Sequence, residues 1–395
     1  MANRNVNSQI SQEPKEESTK FVITSRQQMA LITSTLIGAG VLTLPRQASE
    51  EAHQAAWIAT LLGGLFAFLV TWAITRLALR FPGKTFVEYI GDLLGVKKSE
   101  TVGKYIGLPI TLFYIAIWLA MAITSTRLFG ETIVSAVLTN TPIQVIIGTL
   151  LFTVFFYMMV EVEVVARFNE LLLPLIIVPL VLIAFLTMQN IHLTNMLPLI
   201  SVNWLAFVKS VGTQIFAYQG LSVMLLFMAF VQRGDNTRAT AAGIGLPVLS
   251  YVMIVFASVG VFGFEELQHL TWPTLELIKS SDIRLFLLQR VESGFVVVWV
   301  VAVFTTVGNL CYGACFAAAQ CLPTKKEDKA RKWIAVFVLP IVFIVSLLPQ
   351  SVYALFRWLS FIGYVGLIAF VLPVVMLLLA VVRKQGKGGN SHESS

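Results

Sequence analysis

Long apolar windows with almost no charge alternate with short polar connections along most of this chain. A helix needs about 20 apolar residues to cross a bilayer core of about 30 Å. The sequence meets this requirement in ten places, at 29–48, 55–80, 108–137, 143–163, 171–189, 206–231, 241–263, 294–321, 333–349 and 354–382. The pattern therefore predicts an all-α polytopic membrane protein with ten transmembrane helices.

The composition of the 395-residue chain agrees with that prediction. Apolar residues make up 57% of it and charged residues 12%, about half the usual charged share of about 25%. The mean hydropathy is +0.80. These values exclude a soluble enzyme, a nucleic-acid-binding domain and a disulfide-rich secreted scaffold. We expect no enzymatic activity, no cofactor, no metal centre and no nucleic-acid partner, and the lipid bilayer is the expected environment.

The distribution of basic residues predicts the orientation of the chain. With the N-terminus inside, the inner segments hold twenty Lys and Arg residues and the outer segments hold six. Cytoplasmic loops are the ones enriched in Lys and Arg, so we expect both termini in the cytoplasm. The polar residues 1–24 and 384–395 are expected to form cytoplasmic tails, the first of them disordered.

Two connections are long enough to hold structure of their own. In the inner segment 80–95, Thr85 and Glu88 have the spacing of a capping box. Apolar residues then follow on one face, which predicts a short helix lying along the membrane surface. The outer segment 264–293 is rich in charge and predicts one or two short helices over the mouth of the bundle.

Glycine and proline interrupt two of the predicted spans. The first contains Gly38-Ala39-Gly40 and then Pro45, and the sixth contains Gln219-Gly220. Glycine costs about 1 kcal/mol and proline about 3 kcal/mol relative to alanine inside a helix. Interrupted helices in corresponding positions of two repeats indicate a transporter binding site, here suited to a zwitterion such as an amino acid. Alternatively, the glycines only let helices approach closely.

Polar side chains in other spans are further candidates. In the eighth span, Thr305, Gly308, Asn309 and Tyr312 form a polar stripe at helical spacing. Thr305 and the adjacent threonine, Thr306, are candidates to bind a ligand or a cation, or to hydrogen-bond within their own helix.

In the third span, Arg127 and Glu131 are one turn apart and are expected to pair in a structural or gating role. The three cysteines of the chain are expected to be packing residues, because no further soft metal ligand accompanies them. The four histidines fall in predicted loops or in the tail, which argues against a proton relay built on histidine.

Four stretches resemble one family: IGAGVLTLP (37–45), RFPGKTFVEYIGDLLG (80–95), EVVARFNELLLP (163–174) and WPTLELI with LQRVESGFVVVWV (272–278 and 288–300). The chain resembles the B subunit of GerA-type nutrient germinant receptors, the spore germination permeases of the amino acid–polyamine–organocation superfamily. The resemblance implies two inverted five-helix repeats with broken helices 1 and 6, a LeuT-like fold. The repeats would be 25–190 and 206–383, joined by an outer linker at 191–205.

The same resemblance implies a nutrient site between helices one, three, six and eight. Carried onto this sequence, the ligand-binding residues are Gly38, Ala39, Gly40, Ile117, Met121, Tyr218, Gln219, Gly220, Ser222, Thr305, Thr306 and Asn309. Family members usually have glutamate where this chain has Ser222, so the identity of the nutrient and any acid-linked gating stay open. An amino acid is the first expectation, and a sugar or a nucleoside is the alternative.

Three functions are compatible with these features. The first is a nutrient sensor in the inner membrane of the spore that works with an A-type membrane subunit and a C-type lipoprotein. The second is an amino acid permease coupled to H⁺ or Na⁺, which the two threonines of the eighth span keep open. The third, a structural scaffold, would not need broken helices. Ser222 stands where a glutamate is usual and the fifth span carries no lysine, so no obvious proton carrier lies inside the bundle, which favours the sensor.

Overall fold

The computed structural model describes residues 22–94, 100–198, 203–232, 236–280, 291–323 and 326–383, and most of them are helical. Except for residues 22–24, both predicted tails lie outside this part, as do residues 199–202 of the predicted linker. The α-helices are α1 Ser25–Leu36, α2 Leu44–Ala52, α3 Ala56–Arg80, α4 Phe86–Leu93, α5 Glu100–Ala136, α6 Ile143–Met159, α7 Val162–Thr187, α8 Trp204–Gln214, α9 Met224–Phe227, α10 Asn236–His269, α11 Pro273–Ser280, α12 Val291–Cys321, α13 Glu327–Ser346 and α14 Val352–Val382.

The length and composition of the helices fit a membrane protein. Within the described residues, seven helices are long and apolar enough to cross a membrane, and Ile143–Met159 is a shorter apolar helix. Each predicted span overlaps one or more of the helices. Large apolar side chains cover the outer surface of the bundle; Phe152, Leu171 and Phe337, for example, are 65%, 73% and 67% exposed. An apolar exterior of this kind is typical of contact with lipid.

The first span is interrupted where the sequence predicts it. Helix α1 ends at Leu36 because Ile37 is extended (φ −77°, ψ 91°) and Gly38 leaves the helical region (φ −136°, ψ −140°). A short 3₁₀ segment, Ala39–Leu42, follows. Helix α2 then begins with Pro45 in its first turn. Proline is tolerated there because a backbone N–H at this position would have no partner within the helix. The chain therefore has a non-helical joint between α1 and α2.

The sixth span differs from the prediction of a break. Helix α8 passes directly into a nine-residue 3₁₀ segment, Ile215–Val223, and the residues at both of its ends keep helical dihedral angles. A run of this length is unusual, since 3₁₀ segments rarely exceed three or four residues. Gly220 is needed for a close approach, because a Cβ atom there would lie 3.2 Å from the carbonyl oxygen of Thr35. The glycine therefore brings this span against α1 instead of unwinding it.

The joint between α1 and α2 lies in the centre of the bundle. Helix α1 packs against α7, α10, α12 and the 3₁₀ segment Ile215–Val223. Helix α5 packs along α12, and α14 closes the bundle against α3 and α5. Nine of the twelve residues of α1 are buried, so most of this helix is surrounded by neighbouring protein.

Helix α4 is the short helix that the sequence predicts in the segment 80–95. The capping box is present, with the N–H of Thr85 donating to Glu88 Oε2 at 2.6 Å. Phe86, Tyr89 and Ile90 are buried, and the Phe86 ring lies 5.3 Å from that of Tyr114. The apolar side chains of this short helix pack against the ends of α5 and α12, and its position along the membrane surface stays a prediction. We call this end of the bundle the α4 end and the opposite end the α11 end.

Candidate functional site

The interruption of the first span leaves backbone carbonyl groups without helical partners, and side chains from other elements bind them. Tyr251 of α10 donates to the carbonyl of Leu36 at 2.6 Å. The Trp299 indole of α12 donates to Gly38 at 3.3 Å. Such groups must be satisfied inside a membrane protein, so these donors stabilise the open joint.

Thr306 of α12 lies against the last turn of α1. Its hydroxyl oxygen lies 3.0 Å from the carbonyl oxygen of Ser34, 3.3 Å from that of Thr35 and 3.5 Å from that of Ile37. Thr305 Oγ1 lies 3.4 Å from the same Ser34 carbonyl. The two hydroxyl groups therefore meet a group of carbonyl oxygens at the end of α1.

A buried network of polar side chains connects the joint to α6, α7 and α12. Asn309 Nδ2 donates to Thr35 Oγ1 at 2.8 Å and to Asn169 Oδ1 at 3.0 Å. Tyr157 donates to Asn309 Oδ1 at 2.5 Å, and Ser34 donates to Asn169. Of these residues, the sequence analysis selected Asn309 alone for the site. The available signal for the others was a polar residue inside an apolar span, and Asn169 lies within the stretch 163–174.

A cavity of about 500 Å³ opens beside the joint. Its inner wall is formed by α1, the joint, α5, the 3₁₀ segment Ile215–Val223 and α12, and it extends toward the α11 end. Six predicted site residues line it, namely Gly38, Gly40, Met121, Gln219, Gly220 and Thr306. Five charged residues at the mouth also line it, namely Arg46, Glu50, Glu51, Lys209 and Arg357.

Five other predicted site residues do not line the cavity and support its wall from behind. Ile117, Tyr218, Ser222, Thr305 and Asn309 are all buried. Ser222 accepts a hydrogen bond from the Trp118 indole at 2.8 Å, and Tyr218 donates to the Thr60 carbonyl at 3.5 Å. The helical turn of each points its side chain toward a neighbouring helix, and their role as ligand contacts stays a prediction. The side chain of Ala39 lies outside the described part of the chain.

The Gln219 side chain lines the cavity and also contacts α14. Its Nε2 donates to the Gly363 carbonyl at 2.5 Å. A Cβ atom on Gly366 would lie 2.6 Å from the Gln219 side-chain carbonyl carbon. The two glycines of α14 thus make room for this amide, which fixes its orientation at the cavity wall.

Arg127 and Glu131 lie in α5 toward the α11 end, and neither lines the cavity. Arg127 Nε lies 3.0 Å from Glu131 Oε1, and Arg127 also donates to the Ser346 carbonyl in the last turn of α13 at 3.4 Å. The arginine side chain is 7% exposed. This geometry suits a clamp between α5 and α13, the structural one of the two predicted roles.

Among the described residues, no group of three or more His, Cys, Asp and Glu side chains is placed to hold a metal ion. Cys311 and Cys315 are buried in α12, and Cys321 at its end is half-buried.

Comparison with known proteins adds to this geometry. The family model for spore germination proteins matches residues 22–354. This chain belongs to the spore germination protein family. Similar relatives include spore germination protein YndE of Bacillus subtilis (strain 168), 26% identical over 369 residues, which are 92% of this chain and 98% of the relative. Spore germination protein GerLB of Bacillus cereus is 26% identical over 377 residues, 94% of this chain and 97% of the relative.

Solved transporter structures resemble the fold. A Na⁺-coupled sialic acid symporter in a substrate-bound outward-open state superposes with a TM-score of 0.64 at 11% identity, covering 91% of this chain and 80% of that one. Mhp1, a nucleobase-cation-symport-1 family transporter, gives a TM-score of 0.59 at 14% identity, covering 93% and 80%. At these identities the likeness shows the fold alone. The chain is an all-helical integral membrane protein similar to LeuT-fold transporters.

Proposed function

We propose that this protein is the nutrient-sensing membrane subunit of a spore germinant receptor. The cavity of about 500 Å³ beside the interrupted first span carries the proposal. Its volume falls within the range of about 300–1,000 Å³ that is common for small-molecule sites. Membership in the spore germination family supports the biological setting, and the transporter-like fold supports a ligand site at this depth.

The proposed topology has ten spans in two inverted repeats, 25–190 and 206–383, with both termini in the cytoplasm. The excess of Lys and Arg in the inner segments supports this orientation. The α11 end then faces outward, and the cavity mouth with its charged residues is on the side from which a nutrient arrives. The membrane is the inner membrane of the spore.

The chemistry of the inner wall supports a small polar nutrient, with an amino acid as the first candidate. Gly38 and Gly40 bring backbone groups to the cavity, and Thr306 and Gln219 bring a hydroxyl and an amide. Among the described residues, the charged ones that line the cavity belong to its mouth, so the inner wall would bind a zwitterion through the dipoles of backbone, hydroxyl and amide groups. A sugar or a nucleoside would use the same donors and acceptors and remains the second candidate class.

Signalling in this proposal requires partner subunits, an A-type membrane protein and a C-type lipoprotein. The homology to spore germination proteins B2 and A2 of Bacillus subtilis (strain 168) supports a receptor setting. A bound nutrient shifts the bundle between two states only by its difference in affinity for them. The partners would then respond to the state that the nutrient favours.

An amino acid permease coupled to Na⁺ is the alternative function, and the contacts of two threonines in α12 favour it. Thr305 and Thr306 hydroxyls meet the carbonyl oxygens of α1, and hard oxygen ligands suit Na⁺. An H⁺-coupled permease has less support, because none of the described residues of the inner wall brings a carboxylate or a histidine to the joint.

The proposal is tested with spores that lack this gene, using a panel of amino acids, sugars and nucleosides. Loss of the germination response to one nutrient, with its uptake by growing cells unchanged, is the expected result and names the ligand class. Unchanged germination with lost, Na⁺-dependent uptake would establish the permease instead. Because related receptors can mask a loss, the measurement is made in a strain from which the other receptor genes have been deleted.

A further inference from the structure

The carbonyl oxygen of Val41, in the 3₁₀ segment Ala39–Leu42, has no α-helical donor available. In an α-helix it would accept from the backbone N–H four residues later, but that residue is Pro45, which has no N–H. Thr274 of α11 donates its hydroxyl to this oxygen at 2.8 Å. Thr274 is fully buried, so its hydroxyl gives this oxygen a donor in place of the α-helical one that Pro45 cannot supply.

Helix α11 is fixed at both ends to helices outside the first span. Trp272, just before α11, donates its indole N–H to Ser135 Oγ in the last turn of α5 at 2.9 Å. Asn190, which follows α7, donates to the Ser280 carbonyl at the other end of α11 at 3.0 Å. The position of the Val41 carbonyl is therefore set by α5 and α7 through a short, buried helix.

The turn that Thr274 holds is also a wall of the cavity. Gly40 immediately precedes Val41, and both Gly40 and Gly38 line the cavity. A shift of the Val41 carbonyl must move the adjacent peptide group. We propose that Thr274 is a positioning residue that, through the Val41 carbonyl, holds the interrupted turn in its ligand-receiving conformation. The effect on nutrient affinity rests on the proposed function, whereas the effect on the turn does not.

The effect on the turn is tested with a cysteine reporter at Gly40. A Cβ atom there meets nothing within 4 Å, so Gly40→Cys fits, and Cys321→Ser removes the native cysteine that is not buried. The rate of reaction with a charged methanethiosulfonate reagent is measured in membranes for Thr274→Val and Thr274→Ser. Thr274→Val keeps the shape and loses the hydroxyl, so a several-fold change in rate is expected; Thr274→Ser keeps the hydroxyl and should match the parent.

Two controls separate local positioning from general loosening. Thr271→Val makes the same chemical change at an exposed site and should leave the rate unchanged. A second reporter, Met121→Cys on the α5 wall, should react equally in all variants. Equal rates for Thr274→Val and Thr274→Ser at the Gly40 reporter would overturn the proposal, and so would parallel changes at both reporters.

Nutrient affinity is tested by dose–response in spores. Thr274→Val is expected to raise the half-maximal nutrient concentration about tenfold, the effect of about one lost buried hydrogen bond, with the maximal rate and the protein level unchanged. Thr274→Ser should restore the response. If deletion of the gene changes no nutrient response, the proposed function fails and the reporter rates alone decide the role of Thr274. If deletion abolishes a response that Thr274→Val leaves unshifted, the proposed function survives and the effect on affinity is refuted.

Discussion

A Cβ atom on Gly38 would lie 2.8 Å from Thr306 Cβ, so α12 touches the interrupted first span at a point where no side chain fits. Two residues later, a Cβ atom on Gly40 would meet nothing within 4 Å. The two glycines of one motif therefore have different roles. Gly38 allows helices to pack closely, and Gly40 leaves cavity space open.

Gly38→Ala is expected to destabilise the protein by about 1–3 kcal/mol, the usual cost of overpacking a well-filled site. The added methyl group must displace Thr306 or the joint itself, so the nutrient response should weaken too. Thermal melting in detergent measures the first effect and germination measures the second. Gly40→Ala is the matched control and should have the same melting temperature as the wild type. An unshifted melting curve for Gly38→Ala would contradict the close contact.

Gly40→Leu is expected to abolish the nutrient response without loss of protein or stability. The leucine side chain would extend into open space and occupy the ligand volume beside the joint. Immunoblots of spore membranes and melting curves check that the variant accumulates and folds. Gly40→Ala, which adds far less volume, should retain a response. A normal nutrient response in Gly40→Leu would contradict the assignment of this cavity as the nutrient site.

Arg127→Gln is expected to lower the free energy of unfolding by about 3 kcal/mol, the cost of removing one partner of a largely buried ion pair. Glu131→Gln is expected to lower it by less. Removal of Arg127 leaves Glu131, which is 18% exposed, without its pair and also removes the donor to the Ser346 carbonyl. An exchanged double variant, Arg127→Glu with Glu131→Arg, should recover part of the loss. The recovery is incomplete because glutamate cannot donate to Ser346. Melting temperatures equal to those of the single variants would refute the pairing.

Asn169→Leu and Asn309→Leu are each expected to destabilise the protein by about 1–3 kcal/mol, since each leaves buried polar partners unsatisfied. Their effects should not add, because the two amides hydrogen-bond one another and coupled sites typically interact by about 0.5–3 kcal/mol. A double-mutant cycle in thermal or denaturant unfolding measures this coupling. Strict additivity would show that the network acts as separate hydrogen bonds.

Hydropathy predicted an all-helical membrane protein, and glycine and proline predicted the interruption of the first span. Pro45 and two glycines cannot continue a buried helix without cost, and the chain does break between Leu36 and Leu44. The same reasoning failed at Gly220, where the helix tightens instead. A glycine permits both outcomes, and the Thr35 carbonyl that decides between them is far away in sequence.

The sequence selected some of the residues that line the cavity, because only part of the cavity wall is marked by local sequence features. Gly38, Gly40 and Thr306, which the interruption and the polar stripe mark locally, line the cavity. Ser222 and Asn309 turn instead toward Trp118 and Asn169. Helical spacing places residues on a common face, but it does not tell whether that face meets a cavity or another helix.

The sequence by itself determined that the chain is an all-helical membrane protein and that its first span is interrupted. These features depend on local hydrophobicity and on the backbone conformations of glycine and proline, and both can be read from a short stretch of sequence. Only the tertiary structure decided which residues surround the cavity, that α4 is buried, and that Thr274 supplies the donor missing at Pro45. These depend on contacts between distant segments, and a hydrogen bond such as that from Thr274 to Val41 exists only once packing has brought both groups within reach.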